Sequence, residues 1–146
     1  MSDKPGYQFV DTNVLIYAHD RGSGVKHVIA RQLVQVLWEN LLGCLSIQVF
    51  QEFYVNITRK AKSPITAGEA MQHITDLSAW EIHVPNVHDV LGAIEIQKRY
   101  QISFWDALIV RSAAQVGCEC IWSEDLNSGQ VYEGVRVVNP FVNTET

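Results

Sequence analysis

The chain alternates between short segments in which nearly every residue is apolar and longer segments in which apolar residues recur every three or four positions. Short, wholly apolar segments are typical of strands that are buried on both faces. The pattern predicts five such strands, at residues 7–10, 44–47, 81–84, 120–123 and 135–138.

The longer segments predict helices between the strands. A buried helical turn follows Asn13, and amphipathic helices are expected at residues 25–42, 48–60, 66–79 and 87–100, with Gly43 ending the first of them. The helix at residues 103–117 is apolar on most of its surface, so we expect it to lie largely buried. Thr66 and Glu69 have the spacing of a capping box, and Asn86 and Ser46 are expected helix caps. Helices that alternate with buried strands indicate a parallel sheet covered on both faces, so we expect an α/β fold.

The bulk composition describes one ordinary globular domain, which we expect to span residues 1–146. No apolar run approaches the roughly 18 residues of a membrane span, and the first residues lack a signal-peptide core, so we expect a cytoplasmic protein. The three cysteines suit reduced, buried thiols. A net charge of −5 argues mildly against a protein that coats nucleic acid. It does not argue against a nuclease whose carboxylates surround a cation.

Four acids stand at strand ends or helix starts, and each also has a local explanation. Asp11 follows the first strand, where it could cap the next helix. Asp106 has the spacing of a capping box with Ser103. Glu52 could be a solvated helix residue, and Asp125 could be a turn acid.

The alternative is that the four acids act together, because the carboxyl ends of parallel strands meet at one edge of the sheet. Carboxylates gathered there would repel one another unless a hard divalent cation such as Mg²⁺ lay among them. A bound cation of this kind supports phosphodiester hydrolysis, since it lowers the pKa of a water and stabilises the leaving oxygen.

Four segments resemble, in order, the four motifs of the PIN-domain ribonucleases, especially the toxins of VapBC toxin–antitoxin modules. They are Asp11-Thr12-Asn13, residues 46–53, Phe104-Trp105-Asp106 and Ser123-Glu124-Asp125. The resemblance implies a three-layer α/β/α sandwich with a mainly parallel, five-stranded sheet. It further implies Mg²⁺- or Mn²⁺-dependent endonuclease activity on RNA, a homodimer, and inhibition by a cognate antitoxin protein.

The resemblance assigns roles to individual positions. It implies that Asn13 and Ser123 support the acids, and that Glu124 is a neighbour able to exchange roles with the fourth acid. It leaves open whether one or two metal ions bind, and which RNA is cut. The catalytic and metal-holding acids that it implies are Asp11, Glu52, Asp106 and Asp125.

Several features keep other interpretations open. Arg59, Lys60 and Lys62 form either a solvated helix end or a contact for RNA phosphate. The histidines lack the spacing of a zinc face and are expected at the surface or partly packed. The tryptophans are expected in the core or in a dimer contact rather than as base-stacking platforms. A non-catalytic scaffold would use the same acids as caps. A phosphatase would use Asp11 as its nucleophile, although that chemistry usually needs a second acid where Asn13 stands.

Overall fold

The structure, a computed structural model, describes residues 6–142; the remaining residues of the predicted domain, 1–5 and 143–146, lie outside that range. A short 3-10 turn, Arg21–Ser23, precedes the second helix. In chain order the elements are β1 (Gln8–Val10), α1 (Thr12–His19), α2 (Val25–Asn40), β2 (Gly43–Ser46), α3 (Ile47–Arg59), α4 (Ala67–Leu77), β3 (Glu81–His83), α5 (Val87–Tyr100), α6 (Phe104–Val116), β4 (Cys120–Trp122), β5 (Val131–Tyr132) and β6 (Val135–Val138).

The sheet has the strand order β3-β2-β1-β4-β6-β5, and every neighbouring pair is parallel except β5 with β6. From β1 the chain adds β2 and then β3 on one side of the sheet. It then crosses back and forms β4 on the other side of β1. With right-handed crossovers, this path puts α1 to α4 on one face and α5 and α6 on the other. The predicted α/β/α sandwich is therefore confirmed.

The prediction of five strands is wrong by one, because β5 forms an antiparallel hairpin with β6 at the sheet edge. Both turn residues, Glu133 and Gly134, have positive φ angles of 51° and 82°. Two positive φ angles are typical of the tight turns that join antiparallel strands. A strand of two residues is too short to show a period of two, so hydrophobic periodicity could not reveal it.

The hydrophobic core lies on both faces of the sheet. The central strands contribute Phe9, Val10, Leu45, Ile121 and Val137, each without exposed surface. The expectation that α6 is largely buried is confirmed by its own fully buried residues, which are Ala107, Val110, Ser112 and Ala113. The three cysteines are free and buried, as predicted. Among residues 6–142, every helix is too short or too polar to span a membrane.

Local capping determines where the helices begin. Ser46 accepts a hydrogen bond from the backbone N–H of Val49, and the predicted capping box of Thr66 and Glu69 opens α4. The predicted cap Asn86 opens α5 and forms a capping box with Asp89. Gly43 does not end α2 as expected: the helix stops at Asn40, Leu41 adopts a left-handed conformation, and Gly43 begins β2.

The apolar residues of α2 are less buried than the sequence pattern indicates. Its buried positions are Ala30, Val34 and Leu37, which follow one another at spacings of four and three. Other apolar residues of the predicted face point to solvent, and the clearest cases are Val25, Val28, Val36 and Leu41.

Candidate active site

The site lies where the strand order reverses, between β1 and β4. These two strands are parallel neighbours, and the chain continues from them toward opposite edges of the sheet, from β1 to β2 and from β4 to β6 and β5. Such a switch point opens a crevice beyond the carboxyl ends of the strands. Asp11 directly follows β1 and Ser123 directly follows β4, so the two residues flank this crevice.

Asp11 both caps α1 and faces the crevice. Its side chain is only 5% exposed. One carboxylate oxygen, Oδ1, accepts a hydrogen bond of 2.7 Å from the backbone N–H of Thr12. The other, Oδ2, accepts from Ser123 Oγ at 2.8 Å and from Asn13 Nδ2 at 3.2 Å. The capping and site interpretations are therefore compatible.

Asn13 and Ser123 connect the two strand ends. The Asn13 amide nitrogen also donates to Asp125 Oδ2 at 3.1 Å, and its oxygen accepts from the backbone N–H of Glu124 at 3.0 Å. Ser123 is fully buried, and its hydroxyl accepts from the backbone N–H of Asp125 at 3.2 Å. Both residues thus hold the turn after β4 against Asp11.

Glu52 is held in the crevice by two residues that the sequence analysis missed. Thr12 Oγ1 donates to Glu52 Oε1 at 2.6 Å, and Gln48 Nε2 donates to Glu52 Oε2 at 3.2 Å. Gln48 stands one helical turn before Glu52, and this i, i+4 spacing was the available signal. The contact with Thr12 spans 40 residues and leaves no local signal.

Asp106 makes only half of the predicted capping box. Its backbone N–H donates to Ser103 Oγ at 3.1 Å. Within the described residues, the reciprocal bond from the Ser103 backbone N–H to the Asp106 carboxylate does not form, so that part of the prediction is wrong. The Asp106 carboxylate instead lines the crevice.

The crevice is a cleft of about 220 Å³. All four predicted acids line it, and among the described residues its lining includes no lysine, arginine or histidine. We call this the acidic cleft. Its lining residues are Asp11, Thr12, Asn13, Ile16, Gln48, Glu52, Asn56, Trp105, Asp106, Ile109 and Asp125.

Burial and mutual repulsion raise the pKa values of two of these acids, Asp11 and Asp106. Burial raises the pKa of Asp11 to about 6, and the negative charges of Asp106 and Asp125 add to the rise. The hydrogen bonds from Ser123 and Thr12 only partly oppose it. Burial also raises the pKa of Asp106, with smaller contributions from Asp125 and Glu52. Positive charge in the cleft would relieve this repulsion.

The donor set suits a hydrated divalent cation better than a closed metal cage. Among residues 6–142, no three acidic, histidine or cysteine side chains are grouped tightly enough to hold one ion together. The amide of Asn13 bridges Asp11 and Asp125. Mg²⁺ usually keeps several waters and binds through one or two carboxylates, a requirement that oxygen ligands in a polar cleft meet.

Glu124 and its neighbour Asp125 point to different places. The Glu124 carboxylate accepts a hydrogen bond from the hydroxyl of Tyr17 at 3.0 Å and forms an ion pair with Lys26. It does not line the acidic cleft, whereas Asp125 does. The geometry therefore favours Asp125 over Glu124 as the fourth acid.

A second groove of about 290 Å³ adjoins the acidic cleft. Asn13, Ile16 and Asn56 line both spaces. Lys60 and Lys62 line the second groove, which we call the lysine groove. Arg59, the third member of the predicted basic cluster, is exposed and lines neither space.

The histidines and three of the tryptophans lie outside the cleft. His19 packs beside Phe53 and His73, with ring centroids 5.3 and 4.4 Å away, and so has the partly packed position expected of it. Trp38 and Trp80 pack edge to face. Trp105 contradicts the core expectation, because it is 62% exposed and lines the acidic cleft.

Comparison with solved structures shows that this fold recurs in toxin–antitoxin proteins. Mycobacterium tuberculosis VapC20, described as a sarcin-ricin loop cleaving toxin, superposes with a TM-score of 0.67 at 20% identity, covering 88% of this chain and 98% of its own. A toxin–antitoxin complex from Klebsiella pneumoniae gives 0.67 at 20% identity, covering 92% and 98%. DNA-bound VapBC from Salmonella typhimurium gives 0.63 at 14% identity, covering 90% and 96%.

The sequence comparisons give one family. No curated protein sequence matches the chain. The family model described as the PIN domain matches residues 9–133, which include the acidic cleft and five of the six strands. The chain therefore belongs to the PIN domain family.

Proposed function

We propose that the protein is a metal-dependent endoribonuclease, the toxin component of a toxin–antitoxin module. The observation that carries this proposal is the acidic cleft, in which four carboxylates converge without a lysine, arginine or histidine among the described residues lining it. A binding site for a divalent cation explains why the fold keeps so many acids together at a cost.

In this mechanism Asp11, Glu52, Asp106 and Asp125 would hold hydrated Mg²⁺ or Mn²⁺, with one or two of the carboxylates binding the ion directly. When bound, the metal would supply positive charge for the RNA phosphate and would lower the pKa of the attacking water. Thr12 and Gln48 orient the Glu52 carboxylate through one donor to each oxygen. Asn13 and Ser123 orient Asp11 by both donating to its Oδ2.

The lysine groove supplies a path for the RNA strand. Lys60 and Lys62 line a space that shares three residues with the acidic cleft, so a chain of phosphates can pass from one to the other. Contacts from lysine to phosphate give affinity without reading sequence. We assign Arg59 only a peripheral role, because it lies outside the groove.

The related structures support a protein partner. Two of them are a VapBC assembly and a toxin–antitoxin complex, and we propose that this chain likewise binds a cognate antitoxin. Its three free cysteines support a cytoplasmic location.

We also propose a homodimer, because the α5 region exposes five aliphatic residues. They are Val84, Val87, Val90, Leu91 and Ile94. Light scattering on the purified chain tests the dimer, which a monomeric mass would contradict.

The two alternative functions fit the site less well. In a phosphatase, Asp11 would have to attack phosphorus, but both of its oxygens accept hydrogen bonds and it is almost fully buried. A scaffold that used its acids only as caps would not need Glu52 or the Asp106 carboxylate in a common cleft. Calorimetry with Mn²⁺ separates the scaffold from the nuclease, since a folded scaffold would not bind the ion.

The direct test uses the Asp11→Asn variant. We expect the purified protein to cleave single-stranded RNA with Mg²⁺, to stop when EDTA is added, and to lose cleavage in Asp11→Asn while circular dichroism stays unchanged. Cleavage at the normal rate by Asp11→Asn, or by the protein in EDTA, would contradict the mechanism.

A further inference from the structure

Trp105 is the feature of the acidic cleft that metal chemistry does not explain. It lies in the first turn of α6, directly before Asp106, and it is 62% exposed. Trp105 lines the same cleft as the four acids. Tryptophan is highly buried on average, so a mostly exposed one at the mouth of a site points to a binding role.

The other tryptophans show what a packed indole looks like in this fold. Trp80 is buried and lies edge to face with Trp38 at 5.6 Å between ring centroids. The ring nitrogen of Trp122 donates to Gln8 Oε1 at 2.8 Å. The ring of Trp105, by contrast, packs edge-on against Phe104 at 5.1 Å and keeps most of its surface open.

The Gln48 side chain connects Trp105 to one of the acids through hydrogen bonds. Gln48 Nε2 donates to the backbone oxygen of Trp105 and to Glu52 Oε2, each at 3.2 Å. Both partners are acceptors, so the amide has one possible orientation, with its nitrogen toward them. Gln48 is buried, and its amide therefore fixes the backbone of Trp105 relative to a proposed metal-holding carboxylate.

In the proposed reaction, a ligand in the cleft places a phosphate at the metal that the acids would hold, and a flat apolar group against Trp105. A nucleotide has both, because each phosphate in an RNA strand is flanked by bases with exposed π-faces once the strand is unpaired. Aromatic side chains bind such bases by stacking, and each stacked base contributes about 1–3 kcal/mol in alanine-substitution measurements. Bases inside a duplex stack on one another instead and do not offer this face.

We propose that Trp105 is the base-stacking platform of the acidic cleft. A nucleobase next to the scissile phosphate stacks on its indole ring, and the substrate is therefore unpaired RNA. Because stacking reads the π-face and not the hydrogen-bonding edge, Trp105 favours purines, which have larger faces, without specifying one base. This inference rests on the nuclease function proposed above.

The test measures RNA binding without cleavage. The Asp11→Asn protein serves as the background, and its affinity for a fluorescein-labelled oligoadenylate of about 12 nucleotides is measured by anisotropy with Mg²⁺. Adding Trp105→Leu, which keeps an apolar side chain but removes the ring, should raise Kd about tenfold, within the range for one stacked base. Trp105→Phe should give a smaller rise.

Two controls isolate the stacking. An oligonucleotide of the same length with abasic riboses should bind the background protein and its Trp105→Leu derivative equally, since it offers phosphates but no π-face. Tyr54→Leu, which removes an exposed aromatic residue of α3 outside the cleft, should leave the Kd for oligoadenylate unchanged.

Tryptophan fluorescence gives a readout that a purely structural role would not change. Trp105 is the most exposed tryptophan within residues 6–142, so acrylamide should quench it readily. Oligoadenylate should protect this fluorescence, and the protection should disappear in Trp105→Phe, while the abasic strand should give none.

Two results would overturn the inference while leaving the nuclease intact. In the first, the wild-type protein cleaves RNA but the Trp105→Leu derivative binds oligoadenylate as tightly as the Asp11→Asn background. In the second, Trp105→Leu alters the oligomeric state of the protein in solution and leaves RNA binding unchanged. The second result would place Trp105 in a contact between protein chains. Absence of both RNA binding and RNA cleavage in the wild-type protein would instead overturn the proposed function, and the inference with it.

Discussion

The carboxylate of Asp11 is buried beside other acids, and this arrangement costs folding free energy. Burial and the charges of Asp106 and Asp125 raise its pKa from 3.8 to about 6. An acid with a raised folded-state pKa binds its proton more tightly in the folded protein than in the unfolded chain. Stability is therefore lost as the pH rises from about 4 to about 6, and the full penalty is present at neutral pH.

We predict that Asp11→Asn is more stable than the wild-type protein in EDTA at pH 7.5. The neutral amide removes the charge penalty, which for a shift of this size corresponds to about 1–3 kcal/mol after some loss of hydrogen bonding. Urea unfolding measures the difference, and it should shrink toward zero as the pH falls below about 3, where the wild-type carboxyl is protonated in both the folded and the unfolded state. A variant that is less stable at pH 7.5 would show that the hydrogen bonds outweigh the charge.

The adjacent acids after β4 give a matched pair of variants. Asp125→Asn should lower RNA cleavage by about 100-fold or more, since even partners behind the metal ligands typically contribute 10–100-fold. Glu124→Gln should change cleavage by less than about threefold, because Glu124 bonds Tyr17 and Lys26 and a partly exposed ion pair contributes little. Initial rates under identical Mg²⁺ conditions measure both, and the reverse ranking would move the fourth acid to Glu124.

The sequence was sufficient to select the four acids, but not the residues that orient them. Asp11, Asp106 and Asp125 stand at a strand end or helix start, and Glu52 stands in the helix that follows the second strand, so their positions follow from the order of the elements. The role of Thr12 depends on a contact with Glu52, 40 residues away, which only the folded chain creates. The exposure of Trp105 was also hidden, because the apolar pattern of α6 predicts burial on most sides.

At the scale of the elements, Gly43 shows how a glycine can be required by a neighbour. Its φ angle is not in the left-handed region, so backbone strain is not the reason. A Cβ atom at this position would lie 2.3 Å from Cε3 of Trp80, whose ring packs over β2. The glycine that the sequence suggested as a helix end therefore provides space for an indole.

We predict that Gly43→Ala destabilises the fold by about 1–3 kcal/mol, the usual cost of overpacking a tightly filled site. Gly68→Ala is the matched control, because its Cβ would meet only Thr66 Oγ1 at 4.0 Å in the first turn of α4. That substitution should be neutral or stabilise by up to about 1 kcal/mol. Thermal unfolding of the two variants measures both effects, and equal stabilities would show that Trp80 can move aside.

The elements themselves were largely predictable, because capping and periodicity are local. The predicted strands agree with the observed ones to within one residue and the helices to within two. The exceptions are the 3-10 turn and β5, which are too short to show a period, and the exposed side of α2. Which of its apolar positions α2 buries depends on the partner helices, and the chain pattern alone does not specify them.

At the scale of the whole molecule, the strand order decides that the four acids meet. β1 and β4 lie side by side although more than one hundred residues separate them, and the direction of the chain reverses between them. The net charge of −5 thus includes a concentrated component at one edge of the sheet. A cation bound there should stabilise the whole fold, because it binds the folded chain and not the dispersed acids of the unfolded one.

This coupling predicts how stabilisation by metal depends on pH. At a Mn²⁺ concentration of about 100 times Kd, the folded state gains about 2.7 kcal/mol, which for a chain of this size raises Tm by roughly 5–10 °C. Protons compete for the same carboxylates, and the pKa values of Asp11, about 6, and of Asp106 are raised. The Tm increase should therefore be complete above about pH 7 and should decline as the pH falls through 6.

Differential scanning fluorimetry with and without Mn²⁺ at pH 7.5 and pH 5 measures this dependence. Glu124→Gln should retain the full metal response, because its side chain lies outside the acidic cleft, whereas Asp11→Asn should lose most of it. An equal rise in Tm at both pH values, or an undiminished rise in Asp11→Asn, would mean that the ion binds elsewhere on the protein. In that case the convergence of acids at the sheet edge would need an explanation other than metal binding.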